Sequence, residues 1–321
     1  MKHHATTVCC LTLACLSCVV AAAHALQFPA KPLRMLTAEP GGGSDLTARI
    51  IAQGLSASLG HQVVVDNRVG GVNIAELAAK ASPDGYTLLT DSSSIWLIPL
   101  MRSQTPYDPV RDYAPITLVG SSPMVLVVHP SVAVTSVKEL IALAKAKPGE
   151  LNFASGPSGA VPHLSAELFK YMAGIDIVHV PYKGVGAAVT DLIGGRTQLM
   201  MPNAGAALPH IKSNRLRGLA VSSAQPSALA PGLPTMAQSG LSGYESVAMY
   251  AVFAPAKTPA AVVKRLNQDI VAHLRRADIR EKFLTSSTDI IASAPEALAD
   301  TMRAEMSRMG KVIKAARIRV D

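Results

Sequence analysis

Leu33-Arg-Met-Leu-Thr-Ala-Glu-Pro-Gly-Gly-Gly-Ser-Asp45, with Leu46, Ile50, Ile51, Leu55 and Leu59 behind it, decides the fold. A short apolar run breaks at a glycine turn, and apolar residues then return at helical spacing. That is the order strand, loop, helix. Residues 62–66 and 73–81 repeat it, and residues 86–90 give a third strand before a polar turn at Asp91-Ser-Ser-Ser94. Strands alternating with helices in this way predict a parallel α/β sheet.

Working outward, residues 105–115 are proline-rich and read as irregular, and residues 124–128 and 136–147 read as strand and helix. A second unit then opens with the first one's layout: strand at 151–154, the loop Ser155-Gly-Pro-Ser-Gly-Ala160, and a helix from 162 to 173 with proline in its first turn. Strands at 177–180, 198–201 and 217–221 with helices at 185–193 and 205–213 complete it. Residues 224–246 form a connection back, and a strand at 248–254 with helices at 259–276 and 295–315 returns to the first unit. The expectation is two α/β lobes, residues 26–125 with 248–321 as the first and 126–247, including the return connection, as the second.

The chain has 321 residues, 49% of them hydrophobic and 16% charged, a globular composition long enough for about two domains. Mean hydropathy is +0.28, but the sole long apolar stretch is residues 8–23, behind Met1-Lys2-His3-His4 and ahead of Ala23-His24-Ala25. This reads as a cleavable secretory signal peptide over residues 1–25, against an uncleaved anchor helix or a lipoprotein signal at Cys15. All four cysteines fall inside it, so the mature chain has no thiol chemistry. Losing Lys2 takes the formal charge from +8 to +7, and the excess sits late: residues 257–321 carry 13 Lys or Arg against 8 Asp or Glu. Phe283 is the one aromatic there, so the stretch reads as a solvated helical face and not as a nucleic-acid site.

The two glycine loops lie in matched places of the two units. Each puts backbone N–H groups and hydroxyls at a helix N-terminus, an arrangement suited to anions. In α/β sheets ligands bind beyond the carboxyl ends of strands, so a cleft between the lobes would grip an anion from two sides, with Ser92, Ser93 and Ser94 on the same rim. The plain alternative is that the glycines are tight turns and the serines N-caps. Enzyme signatures are missing: there is no phosphate loop, no dinucleotide fingerprint and no His-Glu-x-x-His, and Gly156-Pro-Ser-Gly-Ala160 lacks the last glycine of a nucleophile elbow. The histidines after residue 25 have no ligand spacing, so no metal and no cofactor is expected. His163, beside the second loop, is assigned a local hydrogen-bonding role ahead of ligand contact.

Pro40-Gly-Gly-Gly-Ser-Asp45, Val63-Val-Val-Asp-Asn-Arg68, Ala81-Ser-Pro-Asp-Gly-Tyr-Thr-Leu88, Leu151-Asn-Phe-Ala-Ser155 with Pro162-His-Leu164, Val178-His-Val-Pro-Tyr-Lys-Gly184, Leu208-Pro-His-Ile-Lys212 and Ala254-Pro-Ala-Lys-Thr-Pro259 together carry a resemblance. In this order, across the mature chain, they resemble the tripartite tricarboxylate transporter receptors, the Bug-type extracytoplasmic solute receptors. The resemblance implies a two-lobed periplasmic binding protein of the type II kind, each lobe a sheet flanked by helices, with crossover hinge strands. It implies a receptor, not an enzyme, that closes on a small carboxylated solute and delivers it to membrane permease subunits. Carried over by position, the ligand-binding residues are Gly42, Gly43, Ser44, Asp45, Ser92, Ser93, Ser155, Ser158, Gly159, Ala160, His163, Lys183 and Asn203.

The chain departs from the family pattern at Glu39, Asp91, Ile98, Pro202 and Met249, where the family usually has proline, a small residue, asparagine, aspartate and tryptophan. Glu39 therefore joins the candidate site. Two extra carboxylates at the cleft would repel a multiply anionic solute and pair with an amino group, unless both point into solvent. An exported α/β enzyme acting through Ser158 or His163, and a ligand-dependent partner of a membrane sensor, are the competing readings.

Overall fold

The structure is a computed structural model that describes residues 28–69 and 71–320. The expected signal peptide and the cysteines lie outside the described residues. No described helix is long and apolar enough to cross a membrane.

The first sheet is built from β1 (Leu33–Thr37), β2 (Val63–Asn67), β3 (Thr87–Ser92), β4 (Tyr113–Pro123), β10 (Val247–Pro255) and β11 (Asp289–Ile290), in the order β11-β4-β10-β3-β1-β2. β1 pairs in parallel with β2 and β3. It is apolar on both sides because helices cover both faces. On one face, α1 (Gly43–Leu59) and α8 (Ala260–Leu274) bury Ile51, Leu55, Leu266 and Ile270 against Leu33 and Met35. On the other, α2 (Gly71–Ala79), α3 (Ser94–Met101) and α10 (Pro295–Ala316) enclose Leu36, Leu89 and Trp96, the indole lying edge-on to Phe253. The remaining helix of this lobe is α9 (Ala277–Thr285).

The second sheet holds β5 (Val125–Val128), β6 (Asn152–Ser155), β7 (Val178–Pro181), β8 (Leu199–Met200) and β9 (Arg217–Val221), in the order β7-β6-β8-β5-β9. α4 (Val137–Ala146) and α5 (Val161–Ala173) pack with one hydrophobic cluster, and α6 (Val185–Ile193) and α7 (Ala204–Lys212) with another.

The chain crosses between the sheets twice. Met124 alone separates β4 from β5, and residues 222–246 lead from β9 to β10. A buried serine ties the crossings together: the Met124 N–H donates to Ser222 Oγ at 2.8 Å, the Ser222 N–H returns to the Met124 carbonyl at 2.9 Å, and Ser222 Oγ donates to the Ser246 carbonyl. The lobes also touch directly. Gly205, at the start of α7, sits so close to the Ser286 carbonyl that any Cβ would collide with it, and a Cβ at Gly184 would lie 3.3 Å from the Glu39 side chain.

Three stretches differ from the sequence expectation. Residues 113–123, read partly as irregular, form the eleven-residue strand β4, whose prolines and serines are held in the sheet because β10 pairs along it, with two shifts of register. Asp91 and Ser92 extend β3, and Ser94 opens α3, an apolar helix interrupted by Pro99 that has no periodicity to read. The single helix expected over 259–276 is followed by α9 after a break at residues 275–276.

Candidate functional site

The carboxyl ends of the two sheets face each other across a cavity of about 90 Å³, enough for a small solute with ordered water. Glu39, Gly42, Gly43, Ser44, Asp91, Ser92, Ser94, Ile98 and Tyr250 line it from the first lobe. Pro157, Ser158, Ala160, Val161, Pro162, Val185 and Asn203 line it from the second, with Met124 and Ala248 at the crossings. Five helices begin here: α1 at Gly42, α3 at Ser93, α5 at Ala160, α6 at Gly184 and α7 at Asn203. None of these caps satisfies its first turn with a side-chain hydrogen bond. Orphan N–H groups and the positive ends of the helix dipoles therefore converge on one small volume.

On the first-lobe wall, Ser44 Oγ donates to Asp91 Oδ1 at 2.9 Å, and the Ser92 N–H reaches the same oxygen at 2.7 Å. Burial nonetheless raises the Asp91 carboxyl to about 6, and the charge of Glu39 adds to the rise. Glu39 is pushed upward as well, again by burial, with its own backbone N–H opposing. Ser92 and Ser94 share a hydrogen bond of 2.8 Å. Tyr250, on the hinge strand β10, brings its hydroxyl under Gly43, where a Cβ would overlap the phenol; only glycine leaves room for it. A register shift between β10 and β4 falls beside Tyr250, a bulge of the kind that re-aims a side chain.

Asp45 does not line the cavity. It is the third residue of α1, about 200° round the helix from Gly43, and faces away to accept from Asn67 Nδ2 (2.8 Å), Arg49 Nε (2.9 Å) and the Gly41 N–H (3.1 Å). Burial opposes its charge, but these hydrogen bonds outweigh it and hold the carboxyl below its usual value. Ser93 is buried behind the wall, because its helical backbone angles turn the hydroxyl from the cap position.

The second-lobe loop is backed by rings. His163 Nδ1 accepts the Gly159 N–H at 3.1 Å, and the His163 imidazole stacks on His179 at 4.2 Å, which stacks on Phe153 at 4.8 Å. Ser155 Oγ lies 2.7 Å from His179 Nε2. Burial lowers His163 to about 3, with His179 adding, and lowers His179 to about 4, with Lys170 adding. Both rings are neutral at ordinary pH. Ser155, Gly159 and His163 thus sit behind the wall and hold it in shape, and Lys183 is exposed away from it. Ser158 lines the cavity but makes no hydrogen bond to His163, so the pair a hydrolytic reading needs is not assembled.

Of the candidate residues, Glu39, Gly42, Gly43, Ser44, Ser92, Ser158, Ala160 and Asn203 reach the cavity. Ser94, placed on the rim by the sequence, lines the cavity as well, whereas Val185 and above all Tyr250 were passed over. The signal for Tyr250 was a tyrosine, the one side chain with a polar group in the otherwise apolar strand VAMYAVFAP.

Two sheets joined by paired crossings, with a cleft ringed by helix N-termini, define a two-lobed solute receptor of the periplasmic type. The sequence profile of the tripartite tricarboxylate transporter family receptor matches residues 47–318, and the chain belongs to that family. Protein BugT of Bordetella pertussis is 38% identical over 302 residues, 92% of each chain. The solved structure of R. palustris Rpa4515 with adipate is similar at a TM-score of 0.87 and 34% identity, covering 91% of this chain and 99% of that one. MatC from Rhodopseudomonas palustris with bound malate aligns at a TM-score of 0.85 and 25% identity, over 89% of this chain and all of its own.

Proposed function

We propose that this receptor, exported by a cleavable signal peptide, captures a small carboxylate-bearing solute between its lobes and delivers it to the permease subunits of a tripartite transporter. The observation that carries this is the convergence of five helix starts, unsatisfied by side-chain caps, on one cavity. The similar structures with adipate and malate support the choice of a carboxylate. The first sheet with its helices moves as one lobe against the second, the boundaries falling at Met124 and just before Val247 where 125 and 248 were expected, and the lobes turn about Met124, Ser222 and Ser246, where few backbone torsions link the sheets.

A thermal-shift panel of dicarboxylates, tricarboxylates, amino acids and aromatic acids on refolded protein tests the reading. A carboxylate at about a hundred times its dissociation constant adds about 2.7 kcal/mol, a rise of roughly 5–10 °C at this size. Small-angle scattering with the same compound should show a smaller radius of gyration. A melting temperature unmoved by every carboxylate would overturn the proposal.

A further inference from the structure

The first-lobe wall carries negative charge that no side chain neutralises. Asp91 is 2% exposed and lines the cavity with Glu39, and neither has an ion pair to Lys, Arg or His among the described residues. The chain treats its other carboxyls near the cleft differently: Asp45 is bridged by Arg49 at 2.9 Å, and Asp66 by Arg34 and Arg68. Buried charge is ordinarily paired, because desolvation is costly.

A second observation points the same way. The Tyr250 side chain is 3% exposed, lines the same cavity, and its hydroxyl has no protein hydrogen-bond partner among the described residues. The start of α1 faces this wall too, but its Ser44 hydroxyl is already given to Asp91 and the Gly41 N–H ahead of it to Asp45, and neither supplies a cation. An ammonium group has three N–H donors and no acceptor. Asp91, Glu39 and the Tyr250 hydroxyl offer it oxygens, and no described Lys, Arg or His is paired with either acid.

The opposite wall is the reverse. Its lining residues, Pro157, Ser158, Ala160, Val161, Pro162, Val185 and Asn203, include no charged side chain, and three helix starts supply N–H donors. We propose that the solute is a zwitterion, its carboxylate held by the starts of α5, α6 and α7 and its protonated nitrogen held by Asp91, Glu39 and the Tyr250 hydroxyl. This rests on the carboxylate-capture reading above and names its substrate class. A dicarboxylate in the same orientation sets its second charge against two carboxyls. The upward displacement of both acids is what burial without a cation produces, and a bound ammonium would reverse it.

Titration calorimetry on the mature protein with three matched pairs tests this: γ-aminobutyrate against succinate, δ-aminovalerate against glutarate, and ε-aminocaproate against adipate. In at least one pair the amino member should bind about tenfold tighter or more. Glu39→Gln should erase most of that preference, weakening the amino member and tightening the dicarboxylate. Asp91→Asn, which keeps an acceptor for Ser44 and Ser92, should do the same; if it fails to fold, Glu39→Gln carries the test. Dicarboxylates ahead in every pair, or a ratio indifferent to Glu39→Gln, would overturn the zwitterion and leave carboxylate capture standing. Absence of binding by all six compounds would overturn both.

Discussion

The Gly41–Asp45 turn and the Ser155–Ala160 turn are the same backbone device, a strand running through a loop into a helix N-terminus, and they face each other across one cavity. What stands behind them differs in kind. Behind the first are carboxyls, one paired outward and two left facing the cleft. Behind the second is a stack of Phe153, His179 and His163, uncharged and hydrogen-bonded to the loop. Loop geometry supplies donors to either wall, so on the zwitterion proposal it is the layer beneath that sets which charge each wall accepts.

The most severe way to break the comparison is to remove the foundation of the second loop. Phe153→Ala, at a fully buried position, should cost about 3–5 kcal/mol in urea unfolding and abolish solute binding at temperatures where the first lobe still holds. A matched loss of binding without loss of stability would show that the stack is not structural.

Next comes pH, where the two walls should respond oppositely. Asp91 has its folded value raised to about 6 from an unfolded value near 3.8, so its neutral form is favoured by folding. That contribution is whole below 3.8 and is lost as pH rises through 6, amounting to about 3 kcal/mol by pH 8. Glu305, buried against the Trp96 indole and raised to about 7, acts in the same direction further from the cleft. The histidines run the other way: lowered to about 3 and 4, they stabilise the fold fully above 6.5 and lose that contribution as pH falls through 4 toward 3. Chemical denaturation from pH 3 to 8 should therefore lose stability at both ends. Asp91→Asn should flatten the alkaline limb, and His179→Gln the acid one. If each variant altered the opposite limb, the assignment of charge to walls would be wrong.

Smaller effects sharpen the picture within the first wall. Ser44→Ala removes one hydrogen bond to a buried carboxylate and should cost about 1–2 kcal/mol, raising the Asp91 titration midpoint in carboxyl NMR. Arg49→Ala should cost under about 1 kcal/mol, because Asn67 and the Gly41 N–H still hold Asp45. It should leave solute affinity unchanged, since Asp45 faces away from the cavity.

The periodicity of residues 33–59 and 151–173 made both loops legible in the sequence, and with them the two-lobed plan. Which side chains meet the solute cavity was legible only in part. Ser44 and Asp45 are neighbours in sequence, yet a rotation of about 100° per residue sends one into the cleft and the other to Arg49. Ser155 ends a strand and turns into its own lobe. Tyr250 depends on a bulge between β10 and β4, which is a property of pairing and leaves no mark on the local pattern. Of the five departures, Glu39, Asp91 and Ile98 line the cavity: Glu39 lies two residues past the end of β1, Asp91 is next to last in β3, and Ile98 is on α3.

The contact between Gly205 and the Ser286 carbonyl joins the lobes outside the lining of the solute cavity. On the proposed closure, a seam of that sort would favour the shut form whether or not anything is inside, and so weigh on the ratio of open to shut molecules. Apparent affinity scales with the fraction already competent to bind. A methyl group at position 205 would tilt that ratio toward open and weaken every solute by the same factor, leaving their ranking intact. How tightly this receptor holds its cargo and which cargo it prefers are thereby written in different places, one in the seam and the other in the walls.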